Sequence, residues 1–87
     1  MAYELTFMPR FQKHMKKLSI QEKKQLKSKL SLLMENPFHP SLRTKRIQGT
    51  DKFECSVNMN IRIIWYYEGD KMILLVDIGH HDILDQF

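Results

Sequence analysis

The feature of this 87-residue chain that most constrains its fold is a set of three β-rich runs in the C-terminal half. The runs cover residues 53–57, 61–67 and 72–78, and β-branched and aromatic residues are frequent in all of them. Residues 58–60 and 68–71 separate the runs and contain the Asn, Gly and Asp that are typical of turns. Strands joined by such short connections run antiparallel. The pattern therefore predicts an antiparallel three-stranded meander.

The register of this meander follows from its apolar pattern. A two-residue turn at residues 59–60 would place Arg62 on the apolar face, whereas a three-residue turn at residues 58–60 pairs Val57 with Ile61. Because a slip of one residue moves every side chain of a strand to the opposite face, the pattern favours the three-residue turn. The second turn is centred on Gly69 and Asp70. The face predicted to pack under helices then carries Phe53, Cys55, Val57, Ile61, Ile63, Trp65, Tyr67, Met72, Leu74, Val76 and Ile78.

The opposite face of the predicted sheet mixes polar and apolar residues. In this register Arg62 lies opposite Ser56 on one neighbouring strand and opposite Asp77 on the other. The last strand ends close to the same place, so His80 and His81 are expected nearby. The predicted members of this face are Glu54, Ser56, Arg62, Ile64, Tyr66, Ile73, Leu75 and Asp77.

The N-terminal half shows helical patterns after one short strand. Alternation at Tyr3, Leu5 and Phe7 predicts a half-buried strand. A first helix begins near Pro9, and a second begins at Ser19, where the order S-x-x-E forms a capping box. The Asn-Pro pair at residues 36–37 ends the second helix. The predicted apolar stripes are Phe11, Met15 and Leu18 on the first helix and Leu26, Leu30, Leu33 and Met34 on the second.

The whole chain, residues 1–87, is thus predicted to form one α+β domain. Its order is β-α-α-β-β-β: an N-terminal strand, a helical hairpin and then the antiparallel three-stranded meander. Residues 36–52 form a long connection between the two halves, and connections of this length are usually functional or mobile.

The distribution of charge indicates the kind of partner. Fourteen Lys and Arg against ten Asp and Glu give a net charge of +4. Residues 10–52 carry most of the basic side chains, which predicts one basic side that suits RNA, DNA or an acidic protein. A solvated helix face would account for about half of those lysines. A single cysteine excludes an internal disulfide, and no apolar run approaches the length of a membrane span, so we expect a cytoplasmic protein without a membrane partner.

His81 and Asp82, if they lie next to Arg62, resemble the groups that cleave a phosphodiester. Such cleavage needs an acid or base that titrates near neutrality and a cation at the charged phosphate. Histidine supplies the first, and the guanidinium of arginine matches phosphate oxygens. RNA carries its own nucleophile, the 2′-hydroxyl, so no metal or other cofactor is expected. The alternative is a structural ion pair between Arg62 and Asp77 with polar histidines at the terminus.

Other residues have weaker functional signals. Arg43, Lys45 and Arg46 form a basic cluster in the long connection, which suits phosphate contacts or simply water. Tyr66 points to the open face and could stack on a base or pack within the sheet. His39 is interpreted as a loop residue and Cys55 as a core residue. No spacing of His, Cys, Asp and Glu typical of a metal site is present.

As a set, the element order and three sequence stretches resemble the RelE/ParE superfamily of toxins from toxin–antitoxin systems. The stretches are the loop NPFHPSLRTKRIQG, the strand NIRIIW and the ending LLVDIGHHDIL, in which a G-x-H-D pattern follows the last strand. The resemblance covers essentially the whole chain and is nearest to the RelE/YafQ-type messenger-RNA interferases. It implies a ribosome-dependent endoribonuclease that cleaves mRNA, inhibits translation and is held inactive by a cognate antitoxin.

The resemblance also assigns roles to individual residues. Arg62 matches the strand arginine at the scissile phosphate, and His81 matches a C-terminal histidine that acts as an acid or base. Lys45, Arg46 and Lys52 match a region that holds RNA and in some members takes part in proton transfer. In two places the chain departs from the family. Asp85 stands where an aromatic residue is frequent, and Asp77 stands where a second basic residue is frequent.

Two other functions remain open from the sequence. ParE-like members share the fold and inhibit DNA gyrase without cleaving RNA, and a degenerate toxin that only binds its antitoxin is the third alternative. The His-Asp ending together with Arg62 favours the interferase. Ile64, Ile73 and Leu75 on the predicted open face are expected to be covered by an antitoxin segment.

Overall fold

The structure, a computed structural model, describes residues 2–87 apart from the side chains of Leu84 and Asp85. Met1 lies outside the described residues. Within them the elements are β1 (Glu4–Phe7), α1 (Pro9–Met15), α2 (Ile20–Glu35), a first 3-10 helix (Pro40–Leu42), β2 (Lys45–Arg46), β3 (Phe53–Ser56), β4 (Ile61–Glu68), β5 (Met72–His80) and a C-terminal 3-10 helix (His81–Gln86).

The described strands form one mixed sheet in the order β1-β5-β4-β3-β2. The predicted meander β3-β4-β5 is its centre, and the α+β class is confirmed. β1 pairs with β5 in parallel, and the two-residue strand β2 pairs with β3 antiparallel. The predicted long connection is therefore not structureless, because it contains the first 3-10 helix and β2. Of the described helices, none is long and apolar enough to cross a membrane.

Local signals in the sequence fix the ends of both helices. Pro9 occupies the first turn of α1, where its missing N–H costs nothing. At the start of α2, the Ser19 hydroxyl accepts a hydrogen bond from the Glu22 N–H at 3.1 Å, and the Glu22 carboxylate accepts one from the Ser19 N–H at 2.8 Å. This reciprocal pair is the predicted capping box. The helices bury Phe11, Leu26 and Leu33 against the sheet, whereas Met34, predicted to be buried, is 36% exposed.

The predicted register between β3 and β4 is confirmed. Ser56 lies opposite Arg62 and Cys55 lies opposite Ile63, which continues to the expected pairing of Val57 with Ile61. The Val57 N–H donates to the Ile61 carbonyl at 2.9 Å.

The predicted register between β4 and β5 is wrong. The turn has three residues, 69–71, and it pairs Glu68 with Met72. This shift of one residue brings Ile73 and Leu75, predicted to lie on the open face, opposite Tyr67 and Trp65 in the core. Leu74, predicted to be in the core, instead pairs with Tyr66.

An irregularity between Ile64 and Trp65 adds a second shift further along the same pair of strands. Because an extra residue on β5 is left without a partner, Arg62 faces Gly79 rather than Asp77. Asp77 instead lies opposite Ile64, and both residues are fully buried although both were predicted on the open face.

The core lies between α1, α2 and the covered face of the sheet. Trp65 is at its centre, with no exposed surface and with the Phe53 ring stacked on it at a centroid distance of 4.7 Å. The buried members of the core cluster are Phe11, Leu26, Leu33, Leu42, Cys55, Val57, Ile61, Ile63, Trp65, Ile73, Leu75 and Ile78.

Candidate functional site

Arg62 is held in place by the turn that precedes its own strand. Its Nη1 donates to the carbonyls of Asn58 at 2.8 Å, Met59 at 3.1 Å and Ile61 at 3.2 Å. The Asn58 carboxamide in turn accepts from the N–H groups of Asn60 and Ile61, both at 2.8 Å. The guanidinium is therefore positioned before any ligand arrives, and since it forms no ion pair among the described residues, its positive charge remains uncompensated.

Three cations from distant parts of the chain line one small concavity beside this turn. Lys29 comes from α2, Arg43 from the segment after the first 3-10 helix, and Arg62 from β4. We call this concavity of about 190 Å³ the basic notch; Ser41 and Ser56 also line it, and its lining contains no described carboxylate. Converging cations with nearby hydroxyls form a typical binding site for a phosphate group.

The backbone of Arg43, which lines the notch, has a left-handed conformation. Arg43 has φ 52° and ψ 43° and is the one non-glycine residue with positive φ in the described part of the chain. The left-handed conformation costs about 1–2 kcal/mol for a residue with a Cβ, and a position of this kind after a helix usually carries glycine. Strain of this kind is often found at functional sites.

Lys29 connects α2 to the same segment. Its Nζ donates to the Ser41 carbonyl at 3.2 Å, which leaves two N–H donors of the ammonium group for a ligand. Lys29 has no distinguishing signal in the sequence, where it is one of seven lysines between residues 13 and 29. Its role depends on the approach of α2 to the 3-10 helix, which residue patterns do not encode.

The other basic residues predicted to bind RNA lie outside the notch, at or near the edge formed by β2. Lys45 is exposed and pairs with Glu54 across the strands, so both side chains share a face. The exposed Arg46 donates through Nε to the Thr50 carbonyl at 2.9 Å. Lys52 Nζ lies 5.7 Å from the ring centroid of Tyr66, which is within cation–π range.

His81 and Asp82 begin the C-terminal 3-10 helix and are exposed. Asp82 lines a second concavity of about 380 Å³, to which His14, Asp77 and His80 also contribute but Arg62 does not. No hydrogen bond among the described residues joins Arg62 to His81 or Asp82. The structure therefore does not assemble these three residues into one contact network.

The C-terminal 3-10 helix nevertheless reaches the face that carries Arg62. Gly79 is paired with Arg62, and a Cβ on Gly79 would lie 3.2 Å from the Ile83 Cδ1 atom. Since paired residues share a face, Ile83 packs on the same side of the sheet as Arg62. A side chain at this position would force Ile83 to move by a few tenths of an ångström.

Asp77 forms a cluster that the sequence did not predict. It is the one fully buried charged residue among those described, and it contacts α1 rather than Arg62. The Nδ1 atom of His14 lies 2.6 Å from Asp77 Oδ1, and the Nε atom of Arg10 lies 2.7 Å from Oδ2. The Ile78 N–H donates to Oδ1 at 2.8 Å. The spacing of Arg10 and His14, four residues apart and so on one helix face, is the signal that could have indicated this cluster.

Two further predictions concern cysteine and metals. Burial raises the pKa of the Cys55 thiol from 9.0 to about 12, so Cys55 is a core residue as predicted. Among the described residues, no group of His, Cys, Asp and Glu is arranged to hold a metal ion. The side chain of Asp85, expected to replace an aromatic residue, lies outside the described residues.

Comparison with known proteins identifies relatives of the whole chain. No family model matches the sequence. The chain is 30% identical over 84 residues to the candidate toxin RelE4 of Methanocaldococcus jannaschii, and the match covers 92% of this chain and 87% of the relative.

Solved structures show the same fold. A chain of the archaeal RelE–RelB complex from Pyrococcus horikoshii OT3 superposes with a TM-score of 0.79 and 16% identity, covering 92% of this chain and 96% of that one. The isolated E. coli RelE toxin gives a TM-score of 0.73 at 25% identity, with coverage of 91% and 84%. YafQ from E. coli gives 0.74 at 19% identity, with coverage of 94% and 97%. A relative of 30% identity along nearly the whole chain, together with this shared fold, shows that the protein belongs to the RelE/ParE superfamily of toxins.

Proposed function

We propose that this protein is the toxin of a type II toxin–antitoxin system and a ribosome-dependent endoribonuclease that cleaves mRNA and thereby inhibits translation. The observation that supports this function most strongly is the basic notch, in which Lys29, Arg43 and Arg62 converge without a neighbouring carboxylate. A notch of this size and charge suits the phosphate of a nucleic acid backbone.

The proposed reaction is cleavage by the RNA itself, assisted by side chains. The 2′-oxygen forms a bond to phosphorus, the bond from phosphorus to the 5′-oxygen breaks, and the products are a 2′,3′-cyclic phosphate and a free 5′-hydroxyl. Arg62 stabilises the charge that develops on the phosphate oxygens. His81 and Lys45 together carry out the two proton transfers: one proton is accepted from the 2′-hydroxyl, and one is supplied to the 5′-oxygen. Asp82 orients His81. No metal or other cofactor takes part in these steps.

The remaining basic residues bind the RNA outside the reacting phosphate. Arg43 and Lys29 contact the backbone within the notch, and Arg46 and Lys52 contact neighbouring phosphates along the β2 edge. Tyr66, which is half-buried beside Lys52, offers a ring face on which a base can stack. Because Arg62 and His81 are not joined in this structure, the ribosome-bound mRNA is expected to bring them to one phosphate.

A cognate antitoxin is the proposed protein partner. Relatives have been solved as the RelB complex of E. coli RelE and the DinJ complex of YafQ. The predicted antitoxin surface is not available, because Ile64, Ile73 and Leu75 are fully buried. A groove of about 930 Å³ between β1, α1 and α2 is the better candidate. Its floor is apolar and its rim carries three lysines, so it suits an amphipathic acidic segment; these lysines are Lys16, Lys23 and Lys27.

The test is in vitro cleavage of a defined mRNA on programmed ribosomes, with free mRNA and a gyrase supercoiling assay in parallel. We expect cleavage only on ribosomes, fragments with 2′,3′-cyclic phosphate ends, and no effect on supercoiling. Arg62→Ala and His81→Ala should lower the cleavage rate, whereas Lys71→Ala, in the turn at the other end of β4, should not. Undiminished cleavage by both variants would refute the assigned roles, and inhibition of gyrase without cleavage would favour the ParE-like alternative.

A further inference from the structure

The buried carboxylate of Asp77 is not used by the proposed reaction and requires an explanation. A fully buried charge is costly unless ionic and hydrogen-bonding partners compensate it. Asp77 has such partners in Arg10, His14 and the Ile78 N–H. Both side-chain partners come from α1, so the cluster fastens α1 to the C-terminal end of β5.

Arg10 also contacts the very end of the chain. Its Nη2 donates to the Gln86 Oε1 atom, and its Cζ lies 5.8 Å from the ring centroid of Phe87. Gln86 is the last residue of the C-terminal 3-10 helix, which begins at His81. The Arg10 guanidinium thus contacts the buried Asp77 carboxylate as well as Gln86 and Phe87.

This arrangement leaves the C-terminal 3-10 helix attached at three points. Its start continues directly from β5, Ile83 packs over Gly79 in its middle, and Arg10 holds its end. His81 itself is exposed and has no hydrogen bond within the described residues. The position of its imidazole therefore depends on how firmly the rest of this short helix is held.

We propose that Arg10 is a positioning residue, which holds the C-terminal 3-10 helix against the end of the sheet and so sets the place of His81. The catalytic consequence rests on the proposed function, whereas the holding of the segment does not. A lysine at this position could still pair with Asp77 but lacks the planar fork that also reaches Gln86. Displacement of a catalytic group by about 1 Å can lower a rate by about 100-fold, so a loosened helix should slow the chemical step.

The test compares Arg10→Ala, Arg10→Lys and Gln86→Ala with Lys13→Ala. Lys13 lies on α1, is exposed and takes no part in the Asp77 cluster, so its variant removes the same charge from the same helix. Gln86→Ala removes the far contact of Arg10 and leaves the Asp77 cluster intact, which keeps the test valid if Arg10→Ala is poorly folded. Two quantities are measured for each protein: amide hydrogen exchange of residues 81–87, and cleavage on programmed ribosomes analysed as separate kcat and KM.

We expect exchange in residues 81–87 to become about tenfold faster in Arg10→Ala and Gln86→Ala, with a smaller effect in Arg10→Lys and none in Lys13→Ala. The kcat should fall about tenfold in the same variants while KM changes less than twofold. Unchanged exchange in both Arg10→Ala and Gln86→Ala overturns the proposal, and so does faster exchange with an unchanged kcat. If the native protein does not cleave RNA, the proposed function fails, and the exchange measurement alone decides whether Arg10 holds the segment.

Discussion

Replacing Arg43 by glycine should make the protein more stable and weaken its binding of RNA. Arg43 has φ 52°, and relief of this left-handed conformation is worth about 1–2 kcal/mol. Glycine loses about 0.5–1 kcal/mol through the greater freedom of the unfolded chain. The difference is a gain of about 0–1.5 kcal/mol in the free energy of unfolding, and its midpoint of about 0.75 kcal/mol raises the Tm of a domain of this size by about 3–6 °C.

The control is Arg43→Ala, which removes the same guanidinium but keeps a Cβ. Relief of repulsion among the three cations of the basic notch stabilises both variants equally. The difference in stability between them is therefore the relief of backbone strain less the entropic cost of glycine. Stability is measured by urea and thermal unfolding. RNA binding is measured by fluorescence anisotropy with a short single strand across a series of salt concentrations.

Both variants should lose one phosphate contact. The slope of log K against log salt concentration should then become shallower by about 0.7 in each. A glycine variant no more stable than the alanine variant would contradict the assignment of strain at Arg43. An unchanged salt slope in both variants would show that Arg43 does not bind phosphate.

Three further predictions concern stability. Asp77→Ala should lower the free energy of unfolding by about 2–3 kcal/mol in urea titrations. The loss is smaller than for a fully buried ion pair, because the side chains of Arg10 and His14 are 49% and 31% exposed and both can be hydrated. The exposed control Asp70→Ala should change the free energy of unfolding by less than about 0.5 kcal/mol. Ser19→Ala should cost about 1 kcal/mol through loss of the capping box, and a cost no larger than that of Ser28→Ala, within the same helix, would contradict this role. Burial raises the pKa of the Cys55 thiol to about 12, so the thiol ionises more readily in the unfolded chain than in the fold. The stability that the buried neutral thiol contributes is therefore fully present below pH 9. As the pH rises from 9 towards 12, the free energy of unfolding should fall by about 1.4 kcal/mol per pH unit. Unfolding titrations between pH 8 and pH 11 should show this decline and show less of it in Cys55→Ala; an identical decline in both proteins would mean that Cys55 is not its source.

How far the sequence predicts this fold depends on how strictly each strand alternates. β3 and the first part of β4 have a regular apolar pattern, and their register was predicted correctly from it. In β5, residues 73–76 are four consecutive apolar residues, so neither face is distinguished. Pattern alone therefore could not detect the three-residue turn or the extra residue beside Trp65, and these two features moved Ile73, Leu75 and Asp77 from their predicted places.

Only part of the candidate site could be predicted from the sequence. Arg62 and Arg43 were identified by residue type, since guanidinium groups suit phosphates. Lys29 and Arg10 were not, because their roles arise from the packing of α2 against the first 3-10 helix and of α1 against the end of β5. Contacts between elements distant in sequence depend on tertiary geometry that neither periodicity nor motif spacing records.

The most direct test of the proposed function is the rate at which Arg62→Ala cleaves mRNA on the ribosome. In a single-turnover assay with saturating protein, Arg62→Ala should lower the rate by about 100-fold or more, as expected when a group that stabilises developing charge is removed. Lys71→Ala should retain the native rate. Equal rates for the native protein and Arg62→Ala would show that the basic notch does not take part in RNA cleavage.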